Sequence, residues 1–166
     1  MSSIPNFAVC EKTGKYTTRR PLTGDQIIRA AKRLLAERVC RGQAIAGPAD
    51  MGDYLVTHYS ALEREMFACV YLSNAHRVIT VDELFTGTID ECHVFPREIV
   101  RRALLLNAAA VILAHNHPSG NPKPSRAEIR MTERVRQSLQ TVDIRLLDHI
   151  VVAGGVAVSV AARKRA

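Results

Sequence analysis

Aromatic residues make up only 5% of the 166-residue sequence, and no basic run is interleaved with them. A stacking platform for single-stranded nucleic acid is therefore poorly supported. The four cysteines, Cys10, Cys40, Cys69 and Cys92, form no CxxC pair. That spacing excludes a zinc finger and a dense disulfide framework, and leaves reduced thiols packed in a core as the expectation. Neither GxGxxG nor GxxxxGK followed by Ser or Thr occurs, so a nucleotide would find no phosphate cradle. The opening MSSIPNFAVCEK has no basic start leading into an apolar core, which argues against a secretory signal. The uncharged stretch from Ile150 to Ala162, interrupted by Gly154, Gly155 and Ser159, is too short to span a bilayer. Repeats and low-complexity segments are missing too, and a cytoplasmic protein without a membrane partner is expected.

What remains is the profile of a globular chain, 47% hydrophobic and 23% charged. Lys and Arg number 23 against 16 Asp and Glu, a net charge of +7. The excess favours an acidic partner, either nucleic acid or an acidic protein surface, without choosing between them.

Residues 1–22 show no clear period and read as a basic arm or edge strand. Thr23 and Gln26 form a capping box for a helix carrying Ile27, Ala31, Leu34 and Leu35, with Gly42 just past its end. Gly47–Pro48 breaks the chain before a short helix with Met51, Tyr54, Leu55 and His58. Met66–Leu72 and Arg77–Phe85 read as a hairpin of strands. Pro96 opens a helix whose Ile99, Val100, Ala103 and Leu104 are expected to face the core. Ala108–Ala114, seven apolar residues, suits a strand covered on both faces. A helix over 125–139 follows, then Ile144–Ala153, a Gly154–Gly155 turn and Val156–Ala162, ahead of a solvated Arg163–Lys164–Arg165 tail. Helices alternating with strands, and two hairpins among them, predict a layered α/β domain with a mixed sheet.

The chemistry concentrates in HNHPSGNPKPSRAE. Side chains two apart on a strand point the same way, so His115 and His117 can converge at the end of the buried strand. Two neutral imidazoles and a carboxylate make a three-ligand zinc site with an open fourth position, and Glu128 can supply the carboxylate. Pro118, Pro122 and Pro124 restrict the connecting loop and lower the entropy lost in holding the ligands ready. The same residues admit a plainer reading. Two histidines in a loop are commonly just solvated, and Ser125-x-x-Glu128 is itself a capping box. Capping and ligation compete for the Glu128 carboxylate, and spacing alone does not decide between them.

The run resembles the JAMM (MPN+) metalloprotease signature, His-x-His-Pro followed after six residues by Ser-x-x-Asp. More closely, LEREMF, ELFTGTID, FPREIVRRALLLNAAAVILAHNHPSG and RLLDHIVV resemble successive blocks of the bacterial RadC family, over roughly residues 46–162. The resemblance implies a three-layer α/β/α JAB/MPN domain of the cytidine-deaminase-like kind over 46–166, preceded by an arm and helix over 1–45. It implies the short form without the family's N-terminal helix-hairpin-helix region. It also implies Zn2+ on His115, His117 and Glu128, Glu65 as the upstream glutamate that handles the protons of a metal-activated water, and Ser125 as a donor to the oxyanion. The activity so implied is hydrolysis of a peptide or isopeptide bond, with a peptide or protein, a ubiquitin-like one included, as substrate. Glu128 stands where the family usually has Asp, one methylene shorter.

Asp148–His149, inside an apolar strand, reads first as a structural pair and otherwise as a contact standing behind a metal ligand, and His58, His76 and His93 have no partner at ligand spacing. Arg126, Arg130 and Arg134 share one helix face, either as a solvated surface or as a basic wall for an acidic substrate or a phosphate backbone. Two rivals follow. One is a DNA-associated module of repair or prophage origin, binding weakly through the basic surface. The other is an MPN scaffold that has lost its metal through Glu128.

Overall fold

The computed structural model describes residues 6–10, 12–18, 20–40, 48–86 and 94–160, with the backbone alone at 38–40 and 48–50. A five-stranded sheet is built from β3 (Met66–Leu72), β4 (Val78–Thr86), β5 (Ala110–Asn116), β6 (Arg145–Ala153) and β7 (Val156–Ser159), in the order β4-β3-β5-β6-β7. The β5–β6 pair is parallel and the other pairs are antiparallel, so the sheet is mixed. Alternation along the central strands sends opposite residues to opposite cores. Ala68, Val70 and Leu72 of β3 and Ala110, Ile112 and Ala114 of β5 pack with Met51, Leu55 and Tyr59 of α2 (Pro48–Tyr59). Phe67, Cys69, Tyr71, Val111 and Leu113 face the other way, onto Ile99 and Ala103 of α3 (Pro96–Leu105) and Val135 and Leu139 of α4 (Arg126–Gln140). Strands buried on both faces explain the uninterrupted apolar runs in the sequence, and the result is the expected α/β/α layering. Two glycines at positive φ, Gly154 and Gly155 (55° and 81°), close the β6–β7 hairpin in a backbone geometry most side chains avoid.

Several expectations change. Among the described residues before 22, none joins the main sheet: β1 (Phe7–Val9) and β2 (Tyr16–Thr18) pair only with each other. The Thr23–Gln26 box caps α1 (Gly24–Cys40), with both reciprocal hydrogen bonds present. Ile27, however, is 54% exposed, because α1 packs chiefly on α2 and the edge strand β4 instead of lying across the sheet. Leu104 is 53% exposed. Five residues beyond Ile99, it is turned about 140° away from the face that Ile99 buries. Cys69 is a core thiol as expected, but Cys10 is exposed. The Cys40 side chain, Cys92, His93 and the basic tail lie outside the described residues. Among the described residues, no helix is long and apolar enough to cross a membrane.

Candidate metal centre

The centre sits where β5 ends. His115 follows Leu113 on the α3/α4 side of the sheet and is buried, its ring stacked on Phe67 with centroids 6.1 Å apart. His117 comes one residue after the strand, and its amide donates to the Val152 carbonyl at 2.8 Å, extending the parallel ladder by one step. The chain then turns. The Gly120 amide donates to the His117 carbonyl at 3.0 Å, and Gly120 sits at φ +75°, where glycine is strongly favoured. The Asn121 carbonyl thereby lies 2.6 Å from Nδ1 of His117. A carbonyl can only accept, so this nitrogen carries the proton and Nε2 is left for another partner.

The Pro-rich segment leads to Ser125, the N-cap of α4. Its hydroxyl accepts from the Glu128 amide at 3.1 Å, and the Ser125 amide donates to Oε2 of Glu128 at 2.7 Å. The other oxygen, Oε1, points to the histidines, 3.2 Å from Nε2 of His117 and 3.7 Å from Nε2 of His115. The competition expected between capping and ligation does not arise, since a carboxylate has two oxygens and the cap occupies one. The two Nε2 atoms are 2.8 Å apart, so all three donors face one point. Tetrahedral zinc with bonds of about 2.0–2.1 Å sets its ligand atoms about 3.3 Å apart. The observed separations bracket that spacing, and the additional methylene of Glu128 does not prevent its reach. Two imidazole nitrogens and one carboxylate oxygen are a donor set that fits zinc and leaves a fourth position open.

Electrostatics agree with the geometry. Burial pushes the Glu128 carboxyl up, but the two imidazoles and the Ser125 amide outweigh it and hold the group far below the usual carboxylate range. The same carboxylate raises His117 above its ordinary value, against burial, and the charge of Glu65 adds to the effect. The Nε2 of His117 that faces the centre therefore holds a proton readily, and a cation must displace it. Glu65 immediately precedes β3. Phe67 pairs with His115 across β3 and β5, and Glu65, two residues earlier, shares its side of the strand.

The sequence marks neither Asn116 nor Thr132 as part of the site, and for Asp148–His149 it prefers a structural role to a contact behind a ligand. Asn116, between the two histidines and 1% exposed, points to the opposite face. Its side-chain oxygen accepts from the Met66 amide at 2.7 Å, and its amide group donates to the Arg64 carbonyl at 3.0 Å. The segment bearing Glu65 is thus tied to the strand bearing His115. His149, expected to be structural, lies with Nε2 2.8 Å from Nδ1 of His115, and its own Nδ1 is 2.6 Å from the Thr132 hydroxyl. Burial holds His149 well below its ordinary pKa. The Asp148 carboxylate accepts from the His149 amide and the Ser159 hydroxyl, at 2.7 and 2.9 Å. Polar residues inside an apolar strand require partners, and that requirement was the available signal. Arg126, Arg130 and Arg134 are exposed on α4.

A model of the RadC-like JAB domain matches residues 45–165. This chain belongs to the RadC family. A UPF0758 protein of Xanthomonas oryzae pv. oryzae (strain PXO99A) is 53% identical over 133 residues, covering 80% of this chain and 59% of that protein. A UPF0758 protein of Xanthomonas axonopodis pv. citri (strain 306) is also 53% identical, over 96% of this chain and 74% of its own length. One from Stenotrophomonas maltophilia (strain K279a) is 52% identical over 80% of this chain and 57% of its own. The chain thus spans about six-tenths of the length of the Xanthomonas oryzae relative. A RadC-like JAB domain with a His-His-Glu group is compatible with a metal-dependent hydrolase or with a scaffold of the same fold, and the relatives' names specify no activity.

Proposed function

We propose that this RadC-family chain is a zinc-dependent hydrolase of peptide or isopeptide bonds. The observation that carries the reading is the convergence of Nε2 of His115, Nε2 of His117 and Oε1 of Glu128, with the remaining donors of His117 and Glu128 already committed to Asn121 and Ser125. His115, His117 and Glu128 would hold the metal, which when bound supplies Lewis acidity and a water acidified to a pKa of about 7. Glu65 accepts a proton from the attacking water and passes it to the leaving amine, acting first as base and then as acid. Ser125 donates a hydrogen bond from its hydroxyl to the developing oxyanion. The helix cap does not prevent this, because there the Ser125 oxygen is an acceptor and its proton remains available. The open side of the centre is where a carbonyl group enters. Retention of a carboxylate oxygen within reach of both imidazoles favours the enzyme over a metal-free scaffold.

The test has two stages. Protein purified without added zinc is assayed for metal content, and the zinc-loaded chain is incubated with peptide and ubiquitin-like isopeptide libraries, with and without a chelator. Near-stoichiometric zinc and chelator-sensitive cleavage that Glu65→Gln abolishes are expected. Failure to bind zinc when it is supplied in excess, or cleavage that survives chelation, overturns the proposal.

A further inference from the structure

Two of the three groups that converge on the centre have an obvious holder: the Asn121 carbonyl fixes the His117 ring and the Ser125 amide fixes the Glu128 carboxylate. His115 is different. Its back nitrogen meets another imidazole, which can accept or donate, so the proton placement on His115 depends on what stands behind that second ring.

The chain of contacts has an unambiguous end. Thr132 lies one turn after Glu128 on α4, and its hydroxyl is 2.7 Å from the Glu128 backbone carbonyl. A carbonyl only accepts, so the Thr132 hydroxyl donates there and its single proton is spent. Toward Nδ1 of His149, 2.6 Å away, the hydroxyl oxygen must therefore accept, and that nitrogen must carry a proton. His149 is 1% exposed, in a site with no room for a free charge, so the ring is neutral and its Nε2 bears a lone pair. That lone pair faces Nδ1 of His115 at 2.8 Å and requires a proton on it. A neutral His115 protonated on Nδ1 presents an unprotonated Nε2 to the centre.

We propose that His149 and Thr132 are positioning residues, which fix the tautomer of His115 and so keep its Nε2 free to ligate a metal ion. The proposal rests on the reading of His115 as a ligand given above. One helix supplies both the carboxylate, through the Glu128 side chain, and the terminal acceptor of the chain, through the Glu128 carbonyl. Without the hydroxyl, His149 is free to carry its proton on Nε2. His115 must then accept at Nδ1 and place its own proton on Nε2, where the metal bond has to form.

The decisive variants change one atom group. Thr132→Val removes the hydroxyl from a buried helical position, whereas Thr132→Ser keeps it. Long-range proton–nitrogen correlation on the full chain labelled with 15N-histidine reports the tautomers directly in the metal-free protein, and chelator competition reports zinc affinity. The wild-type chain should show His115 and His149 both protonated on Nδ1. Thr132→Val should disturb that pattern and weaken zinc binding about 10–100-fold, the range typical for loss of a partner behind a ligand. Thr132→Ser should restore both readouts. His149→Gln, whose side-chain oxygen can take the place of Nε2, should retain more affinity than His149→Leu. A folded Thr132→Val that binds zinc as the wild type does, or a metal-free His115 protonated on Nε2, overturns this proposal alone. Absence of zinc binding by the wild-type chain instead overturns the metal reading beneath it.

Discussion

The side-chain oxygen of Asn116 accepts a hydrogen bond from the Met66 amide at 2.7 Å, joining the residue between the two histidines to the residue after Glu65. Asn116 is buried, and its amide group spans to the carbonyls of Arg64 and Leu62 at 3.0 and 3.4 Å. Through these bonds one side chain sets the distance between the proposed proton carrier and the proposed metal ligands. Asn116→Ala leaves the Met66 amide and the Arg64 carbonyl without this partner, so a loss of about 1–3 kcal/mol in unfolding free energy is expected. The turnover number should fall by at least about tenfold, since a displaced base loses its alignment. Zinc affinity, set on the other face of the strand, should remain close to wild type. Denaturant melts, steady-state kinetics and chelator competition check the three parts.

Glu128 serves two partners with two oxygens, and the uses are separable. Glu128→Gln can still accept from the Ser125 amide, because glutamine also completes a capping box. It cannot provide an anionic ligand. Zinc affinity should fall by more than about 100-fold, exceeding the usual cost of losing a group behind a ligand. The metal-free protein should keep its helix cap but lose the stability that the carboxylate draws from the two imidazoles, a loss absent below the Glu128 titration range. A loss of stability with zinc affinity unchanged would show that the carboxylate acts on the helix alone.

Ser125→Ala removes both a cap acceptor and a hydroxyl donor. The cap predicts a stability loss of about 1 kcal/mol. The oxyanion role predicts a turnover number reduced about 100–1,000-fold with KM little changed. A stability loss without a kinetic one would confine Ser125 to the cap.

Acid should destabilise the metal-free protein in two windows. His149 is kept neutral by burial, with its folded pKa well below 6.5, so the unfolded chain takes up a proton near 6.5 that the folded chain refuses. Its contribution to stability is therefore lost as pH falls below about 6.5. Glu128 is held below its ordinary 4.5, so its contribution is present above that value and disappears as pH falls below it. His117 acts in the opposite sense: raised by Glu128, it stabilises below its ordinary 6.5, and that share fades as pH rises through its folded value. The difference in melting temperature between the wild type and His149→Gln should thus shift against the wild type from pH 7 to pH 5.5. Glu128→Gln should flatten the further drop toward pH 4. Zinc affinity should fall over the His117 range, because the metal competes with a proton for Nε2.

Much of the architecture was legible because burial leaves its mark on local sequence, as a period in helices and as unbroken apolar runs in strands covered on both faces. The apolar run at 66–72 predicted a hairpin strand and that at 108–114 a strand covered on both faces, and the capping boxes at Thr23 and Ser125 predicted helix starts. The reading failed where burial depends on which elements are neighbours. Ile27 follows a helical apolar spacing yet stays exposed, since α1 covers only a helix and a sheet edge. Leu104 was placed inward and faces out, since it lies off the stripe defined by Ile99 and Ala103.

By itself the sequence determined the strands of the main sheet and the helices (but not the separate β1–β2 pair), the α/β class and the grouping of His115, His117, Ser125 and Glu128 on one strand end, one turn and one helix start. Those residues lie within fourteen positions of each other, and local spacing governs their approach. Only the tertiary structure decided that Glu128 divides its oxygens between cap and centre, that Asn116 anchors the Glu65 segment fifty residues away, and that His149 and Thr132 stand behind His115. The reason is physical. Strand pairing and helix docking bring distant polar groups into a space without water, and there each must find its partner in the protein.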